Sequence, residues 1–116
     1  MIKARSLAYE LLKPDKIMSE IDRDVQKFIK ERGYSENILH RTGHGLGITG
    51  HEAPYIADGY NRALKPGMLV SVEPGIYIPG IGGFRHSDTV LITEDGYQKL
   101  TKAPEELEAL TIDISK

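Results

Sequence analysis

Cysteine is absent from the 116-residue sequence. The sequence also contains no long run of like-charged residues and no long run of apolar residues. Without cysteine, disulfide bonds and thiolate metal sites are excluded, and a cytoplasmic protein is expected. The net charge is −2 and the basic residues are scattered, so we predict no nucleic-acid partner and no membrane partner. No apolar run approaches the roughly 20 residues of a spanning helix. The first 15 residues lack the pattern of a signal peptide.

The first third of the sequence is typical of helices, and a chain of this length predicts one domain. Residues 2–12 predict a helix that Pro14 limits. Ser19 is predicted to be the N-cap of a second helix, with Asp22 in a capping-box position and Gly33 as the C-cap. The apolar residues of this second helix recur at helical spacing, which predicts a core-facing stripe of Ile21, Val25, Phe28 and Ile29.

The remainder of the sequence is typical of strands. The predicted strands cover residues 68–73, 76–78, 84–93 and 97–100, and a short helix is predicted at residues 104–110. The order helix, helix, antiparallel strands, helix predicts an α+β fold with helices packed on one face of an antiparallel sheet.

Two histidines flank a glycine-rich turn in residues 42–54, TGHGLGITGHEAP. His44 lies between glycines that permit close backbone approach, so it is a candidate metal ligand or, alternatively, a surface-turn histidine. His51 could polarise a carbonyl or move a proton, or it could be a hydrogen-bonded loop residue. Glu73 ends an apolar strand before Pro-Gly, where a carboxylate is costly to bury unless it is paired or metal-bound. Exposure at the strand end is the alternative for Glu73.

Four polar residues follow one another at the start of the predicted strand 84–93. Alternation places Arg85 and Ser87 on one face and His86 and Asp88 on the other. Arg85 could bind a carboxylate, and Asp88 could pair with Arg85 or with His86. Purely structural ion pairing is the alternative.

Three blocks of the sequence together resemble the C-terminal half of the pita-bread metallopeptidases: TGHGLGITGHEAP, LKPGMLVSVEPGIYI and GGFRHSDTVLITEDG. That family includes prolidases (Xaa-Pro dipeptidases), aminopeptidase P, methionine aminopeptidases and the metal-free creatinases. The blocks occur in the family's order, cover nearly the whole chain, and most resemble the prolidase-like branch. The resemblance implies that residues 1–116 are the C-terminal half of a pita-bread catalytic domain whose N-terminal half is absent.

The resemblance also implies a reaction and a cofactor. Two α+β halves would clasp a dinuclear centre of manganese, cobalt, iron or zinc, and metal-activated water would attack a peptide carbonyl. By motif match, His44 and Glu73 are implied as metal ligands, and Glu73 also as a catalytic residue that transfers protons. His51 matches a catalytic histidine that contacts the scissile amide. We place Arg85 and His86 with His51 among the candidate substrate-binding residues.

Two departures from the family pattern change what is expected of this chain. Ser87 stands where the family has a bridging glutamate, and a serine hydroxyl replaces a carboxylate ligand poorly. The family's two aspartate ligands come from strands before the first helix of this half, and Asp15, Asp22 and Asp24 do not match them. Since a catalytic metal needs about three protein ligands, we expect the lone chain to be inactive, and it could hold no metal at all.

Three hypotheses therefore stand side by side. The chain could be a C-terminal fragment or domain of an Xaa-Pro dipeptidase-like metallohydrolase, which acts on a peptide or small-molecule substrate and has the missing N-terminal half as its partner. It could instead be a stand-alone half-domain that forms a homodimeric binding or assembly module. It could also be a metal-independent, creatinase-like hydrolase with a histidine as general base.

Overall fold

The computed structural model describes residues 1–115. Two α-helices come first, and a π-turn at Lys30–Tyr34 and a 3-10 turn at Ser35–Asn37 follow them. The helices are α1 (Ile2–Leu11) and α2 (Met18–Ile29). The strands are β1 (Gly43–Gly45), β2 (Glu52–Ile56), β3 (Leu69–Val72), β4 (Gly75–Ile78), β5 (Gly82–Arg85), β6 (Asp88–Thr93) and β7 (Gly96–Lys99). None of the helices in the described part of the chain has both the length and the apolar character needed to cross a membrane.

The strands form one five-stranded antiparallel sheet and one two-stranded ribbon. The sheet has the order β2-β1-β3-β6-β7, and the ribbon pairs β4 with β5. Helix α1 contacts β3, α2 contacts β2, and the two helices contact each other, so one face of the sheet is covered. The core lies between these layers and includes Ala8, Met18, Ile21, Val25, Ile29, Ile56, Val70, Val72, Val90 and Ile92. The predicted α+β architecture is confirmed.

Alternation along β3 decides which residues face the helices. Val70 and Val72 are fully buried in the core, so Leu69 and Ser71 point to the opposite face. The partner strand β6 keeps the same alternation, because Val72 pairs with Asp88. The face turned away from the helices is therefore the one that can carry a site.

The N-terminus of α2 corrects the prediction that Ser19 is the N-cap. The helix begins at Met18, and the amides of Met18 and Ser19 donate to the carbonyls of Arg62 and Tyr60 at 2.9 and 3.1 Å. The Ser19 hydroxyl donates to Asn61 Oδ1 at 2.6 Å. Backbone carbonyls from a distant loop satisfy the free amides of the helix start, so no side-chain cap is needed.

Asp22 is likewise not a capping-box residue. Its carboxylate is buried and accepts hydrogen bonds from the Thr42 amide at 2.8 Å, the Thr42 hydroxyl at 2.7 Å and the Asp58 amide at 2.9 Å. These bonds fix α2 against the segments that lead into β1 and out of β2.

The C-terminus of α2 also differs from the prediction. Regular α-helix ends at Ile29, and the π-turn follows it. Gly33 has a φ of 89° within that turn. The glycine thus supplies the left-handed backbone expected of a helix terminus, but four residues beyond the last α-helical residue.

The single strand predicted at residues 84–93 is wrong. The structure divides it into β5 and β6, which belong to different sheets and are separated by His86 and Ser87. The segment that pairs with these two strands is interrupted opposite the same point, since Glu73 and Pro74 separate β3 from β4. Pro74 has no amide hydrogen to donate to a ladder, which favours a break at this point.

The helix predicted at residues 104–110 is also wrong. The structure has a turn there, in which the Leu110 amide donates to the Glu106 carbonyl at 3.1 Å. Leu107 is 69% exposed, so this segment buries too little apolar surface to offset the cost of nucleating a helix.

A buried polar network joins α1 to the start of β6. The Asp88 carboxylate accepts hydrogen bonds from the Tyr9 hydroxyl and from Thr101 Oγ1, the latter at 2.6 Å. Arg5 Nη1 lies 3.8 Å from Asp88 Oδ2, and His86 Nε2 lies 3.6 Å from the same oxygen. Burial and the hydrogen bond with Asp88 raise the pKa of Tyr9 well above its ordinary value. The phenol of Tyr9 therefore keeps its proton and donates it to the Asp88 carboxylate.

We expect this network to make stability depend on acid pH. Burial by itself would raise the pKa of Asp88, but hydrogen bonds from Thr101 and Tyr9 and the charges of His86 and Lys99 outweigh it and lower the pKa below 3.8. The folded state therefore binds fewer protons than the unfolded state. The stabilisation that ionised Asp88 contributes is complete above about pH 4 and is lost as the pH falls through the pKa of Asp88 in the folded state.

Urea denaturation at a series of pH values between about 7 and 2.5 measures this dependence. The difference in unfolding free energy between the wild type and Asp88→Asn should be constant above about pH 5 and should shrink as the pH falls below about 4. A difference that stays constant down to the lowest pH would contradict the assignment to Asp88.

Candidate functional site

The two breaks between the sheet and the ribbon bring Glu73 and Ser87 together. Glu73 follows β3 and Ser87 precedes β6, and these strands are antiparallel neighbours in register. The Ser87 hydroxyl donates a hydrogen bond of 2.9 Å to Glu73 Oε2. Both residues continue the alternation of Leu69 and Ser71, so they belong to the face turned away from the helices.

His44 is held by hydrogen bonds at both its backbone amide and its ring. Its amide donates to Ser71 Oγ at 3.0 Å, and its ring Nδ1 lies 2.9 Å from the carbonyl oxygen of Gly45. Strand β1 lies so near β3 that a Cβ on Gly43 would stand 2.0 Å from the Ser71 carbonyl oxygen. The glycine before His44 is therefore required for the close approach that places the histidine.

The contact between His44 and Glu73 calls for a cation. His44 Nε2 lies 3.0 Å from Glu73 Oε1. A carbonyl oxygen only accepts hydrogen bonds, so Nδ1 is the donor to Gly45, and Nε2 of the neutral ring then carries a lone pair. A lone pair and a carboxylate oxygen face each other at this distance only if a second ring proton or a metal ion lies between them.

The short loop between β1 and β2 places the ring of His51 beside that of His44. Glu52 Oε2 accepts hydrogen bonds from the Thr49 amide at 3.1 Å and from the Thr49 hydroxyl at 2.8 Å. The ring centroids of His44 and His51 are 4.1 Å apart. One ligand atom from each of His44, His51 and Glu73 can be chosen so that all three lie within 4.8 Å of one another.

These three side chains fit a divalent transition metal. Two donor atoms that each lie about 2.1 Å from one ion are about 3 Å apart when the angle at the ion is near 90°. The separation of 3.0 Å between His44 Nε2 and Glu73 Oε1 meets this condition. Two imidazoles and one carboxylate suit zinc, iron, cobalt or manganese. His51 is exposed, so its ring can turn toward the same point.

The structure separates Arg85 and His86 from this group. Arg85 is exposed at the end of β5. His86 is buried on the helix-facing side, with its Nε2 nearest to Asp88. Among residues 1–115, no hydrogen bond or ion pair joins either residue to His44, His51 or Glu73. The predicted alternation thus matches the burial of residues 85–88, in which Arg85 and Ser87 are exposed and His86 and Asp88 are buried. The substrate-binding roles of Arg85 and His86 stay predictions.

Two positioning residues were missed by the sequence reasoning. Ser71 holds the His44 amide, and nothing in an apolar strand sequence distinguishes it from any half-buried serine. Glu52 closes the loop before His51. The spacing Thr49-x-x-Glu52 is that of a capping box and could have indicated the turn.

Comparison with protein families matches residues 1–94 to the model of metallopeptidase family M24. An Xaa-Pro dipeptidase of Pyrococcus furiosus is 45% identical over 107 residues, which are 92% of this chain and 31% of that protein. A probable dipeptidase PepE of Mycobacterium tuberculosis is 42% identical over 105 residues, which are 90% of this chain and 28% of that protein. The chain thus spans about 30% of the length of the curated relatives it matches.

Solved structures of a prolidase and of an X-Pro aminopeptidase superpose on this chain. The prolidase of Pyrococcus horikoshii superposes with a TM-score of 0.87 at 43% identity, over 90% of this chain and 30% of that one. The X-Pro aminopeptidase of Thermotoga maritima superposes with a TM-score of 0.85 at 34% identity, again over 90% and 30%. The predicted partial pita-bread fold is confirmed by these neighbours.

Proposed function

Because the chain belongs to metallopeptidase family M24, we propose that it is the C-terminal part of an Xaa-Pro dipeptidase-like metallohydrolase that acts in the cytoplasm. The observation that carries the proposal is the 3.0 Å separation between His44 Nε2 and Glu73 Oε1, which is the distance expected between two ligand atoms of one ion. Identities of 42 to 45% to dipeptidases support the choice of a dipeptide substrate. On this proposal the lone chain is inactive, because it corresponds to only about 30% of the length of the relatives it matches.

Each residue of the site has a separate role in this proposal. His44 and Glu73 hold a divalent ion, which when bound would activate water and polarise a peptide carbonyl. His51 is exposed beside His44, and its ring donates an N–H to the carbonyl oxygen of the scissile peptide. Arg85 is exposed, and we propose that its planar guanidinium group binds the carboxylate of the substrate. His86 is less suited to that role, since its Nε2 lies nearest to the buried Asp88.

An apolar groove of about 830 Å³ supports the proposal that the domain has a further part. The groove opens between the start of α1, the β4–β5 ribbon and the turn near the C-terminus, and its walls include Ile2, Ile76, Ile78, Phe84, Leu107 and Leu110. Because the matched segment is about 30% of each relative, we propose that the remaining part of the catalytic domain covers this groove. A second copy of the chain, as in a homodimeric module, is the alternative occupant.

A metal-independent hydrolase of the creatinase type is the second candidate. It is favoured by Ser87, which provides a hydroxyl where the family pattern has a bridging carboxylate. In that case His51 acts as general base without an ion. Sensitivity to chelation separates the two candidates.

A chimaera tests the proposed activity. The matched 107 residues of the Pyrococcus furiosus Xaa-Pro dipeptidase are replaced by this chain. We expect hydrolysis of Xaa-Pro dipeptides that needs added Mn²⁺ or Co²⁺, and no hydrolysis by the 116-residue chain alone. Glu73→Gln in the chimaera should lower kcat/KM by more than about 100-fold. Glu94→Gln, on an exposed turn, is the matched control and should leave it unchanged.

Three outcomes would count against the proposal. A folded, metal-loaded chimaera without activity removes the dipeptidase assignment. Turnover that survives chelation favours the creatinase type. Turnover by the lone chain at the rate of a complete enzyme shows that activity does not depend on a further part of the domain that covers the groove. Light scattering on that sample then distinguishes a monomer from a dimer.

A further inference from the structure

Glu73 uses its two carboxylate oxygens for different purposes. Oε2 accepts the hydrogen bond of the Ser87 hydroxyl at 2.9 Å, and Oε1 lies 3.0 Å from His44 Nε2. A carboxylate oxygen that accepts a hydrogen bond is oriented by it, and such partners also tune the affinity for a bound metal. Ser87 thus directs Oε1 toward His44.

We propose that this chain binds a single metal ion through His44, His51 and Oε1 of Glu73, and that Ser87 is the residue that positions Glu73 for it. The inference rests on the proposed metallohydrolase function for the identity of the cofactor. It departs from a two-ion centre and gives His51 a ligand role in addition to its contact with substrate.

The third ligand comes from the position of His51. Its ring lies 4.1 Å from that of His44, and the three ligand atoms can all lie within 4.8 Å of one another. Three protein ligands with one open position are the usual set for a catalytic ion. Because His51 is exposed while His44 is 5% exposed, His51 is the ligand that can leave the ion and rejoin it.

The number of ions follows from the carboxylates. Paired ions lie about 3.5 to 4 Å apart and share ligands. Here the second oxygen of Glu73 is engaged by a hydroxyl, and Ser87 adds no carboxylate. Within residues 1–115, these three side chains form the one group of at least three histidine or acidic residues with ligand atoms in reach of one another.

Titration of the 116-residue chain with Co²⁺ tests the inference, by calorimetry for stoichiometry and by visible absorption for the ligand set. We expect one equivalent per chain, with a cobalt spectrum that changes on His51→Ala. Ser87→Ala should weaken Co²⁺ binding by about tenfold, whereas Ser87→Thr, which keeps the hydroxyl, should restore it. Ser6→Ala, on the exposed side of α1, is the matched control and should have no effect.

The results that would overturn the inference are specific. They are two equivalents of Co²⁺, no binding, a spectrum that His51→Ala does not change, or equal affinity in Ser87→Ala and the wild type. A chain that binds one ion but gives an inactive chimaera would leave this inference standing and remove the proposed function. An active chimaera, together with a 116-residue chain that binds two equivalents of Co²⁺ or none, would do the reverse.

Discussion

Asp88→Asn is expected to lower the free energy of unfolding by about 3 to 5 kcal/mol, because it removes the buried carboxylate of the network and leaves Arg5, among the described residues, only the more exposed Glu105 as an ionic partner. The Asp88 side chain is fully buried, and the Arg5 side chain is 3% exposed. Two guanidinium nitrogens of Arg5 have no hydrogen-bond partner in the described part of the chain, so Arg5 depends on the nearby carboxylates. Tyr9 and Thr101 would also lose their charged acceptor.

Urea denaturation at neutral pH measures this loss. Asp24→Asn, on the exposed side of α2, is the matched control and should change stability by less than about 0.5 kcal/mol. A double variant, Arg5→Met with Asp88→Asn, should lose less than the sum of the two single variants, because no buried charge then stays unpaired. Equal effects of Asp88→Asn and Asp24→Asn would show that the network adds nothing to stability.

Gly43→Ala is expected to lower the free energy of unfolding by about 3 kcal/mol or more, which is the upper range for overpacking. The new Cβ would stand 2.0 Å from the backbone oxygen of Ser71, and backbone cannot move aside as a flexible side chain can. Strands β1 and β3 would have to separate at this point. The next residue, His44, would then lose the hydrogen bond between its amide and Ser71 Oγ.

Gly50→Ala provides the control for Gly43→Ala. Gly50 lies in the loop between the two histidines, and a Cβ there would meet nothing within 4 Å. Its effect on the unfolding free energy should stay within about 0.5 kcal/mol. Denaturation of both variants decides the matter: if Gly43→Ala unfolds within about 1 kcal/mol of Gly50→Ala, the close approach of the two strands does not fix His44.

Local patterns in the sequence predicted the elements that depend on local periodicity. The stripe Ile21, Val25, Phe28 and Ile29 predicted the core-facing side of α2. The structure buries Ile21, Val25 and Ile29 and packs Phe28, partly buried, against the same core. The alternation from Met68 to Glu73 predicted β3 to within one residue at each end. Both signals arise because side-chain direction repeats every 3.6 or every 2 residues.

The predictions that failed required knowledge of distant parts of the chain. Ser19 is not the N-cap, because the carbonyls of Arg62 and Tyr60 reach the start of α2 from a loop about 40 residues later. The run at residues 84–93 has continuous strand propensity, yet its two halves pair with different strands, β4 and β3. Propensity describes a single segment and carries no information on which neighbour it will find.

The sequence by itself determined the α+β class and the family, and it indicated His44, His51 and Glu73 as candidates, since these follow from periodicity and from motifs within one stretch. Only the tertiary structure decided that Ser87 binds Glu73, that His51 lies against His44 and that His86 faces the buried Asp88. The physical reason is that hydrogen bonds and metal coordination act over about 2 to 3 Å. Residues far apart in sequence reach such distances only after the strands have paired and each side chain has been assigned to one face of the sheet.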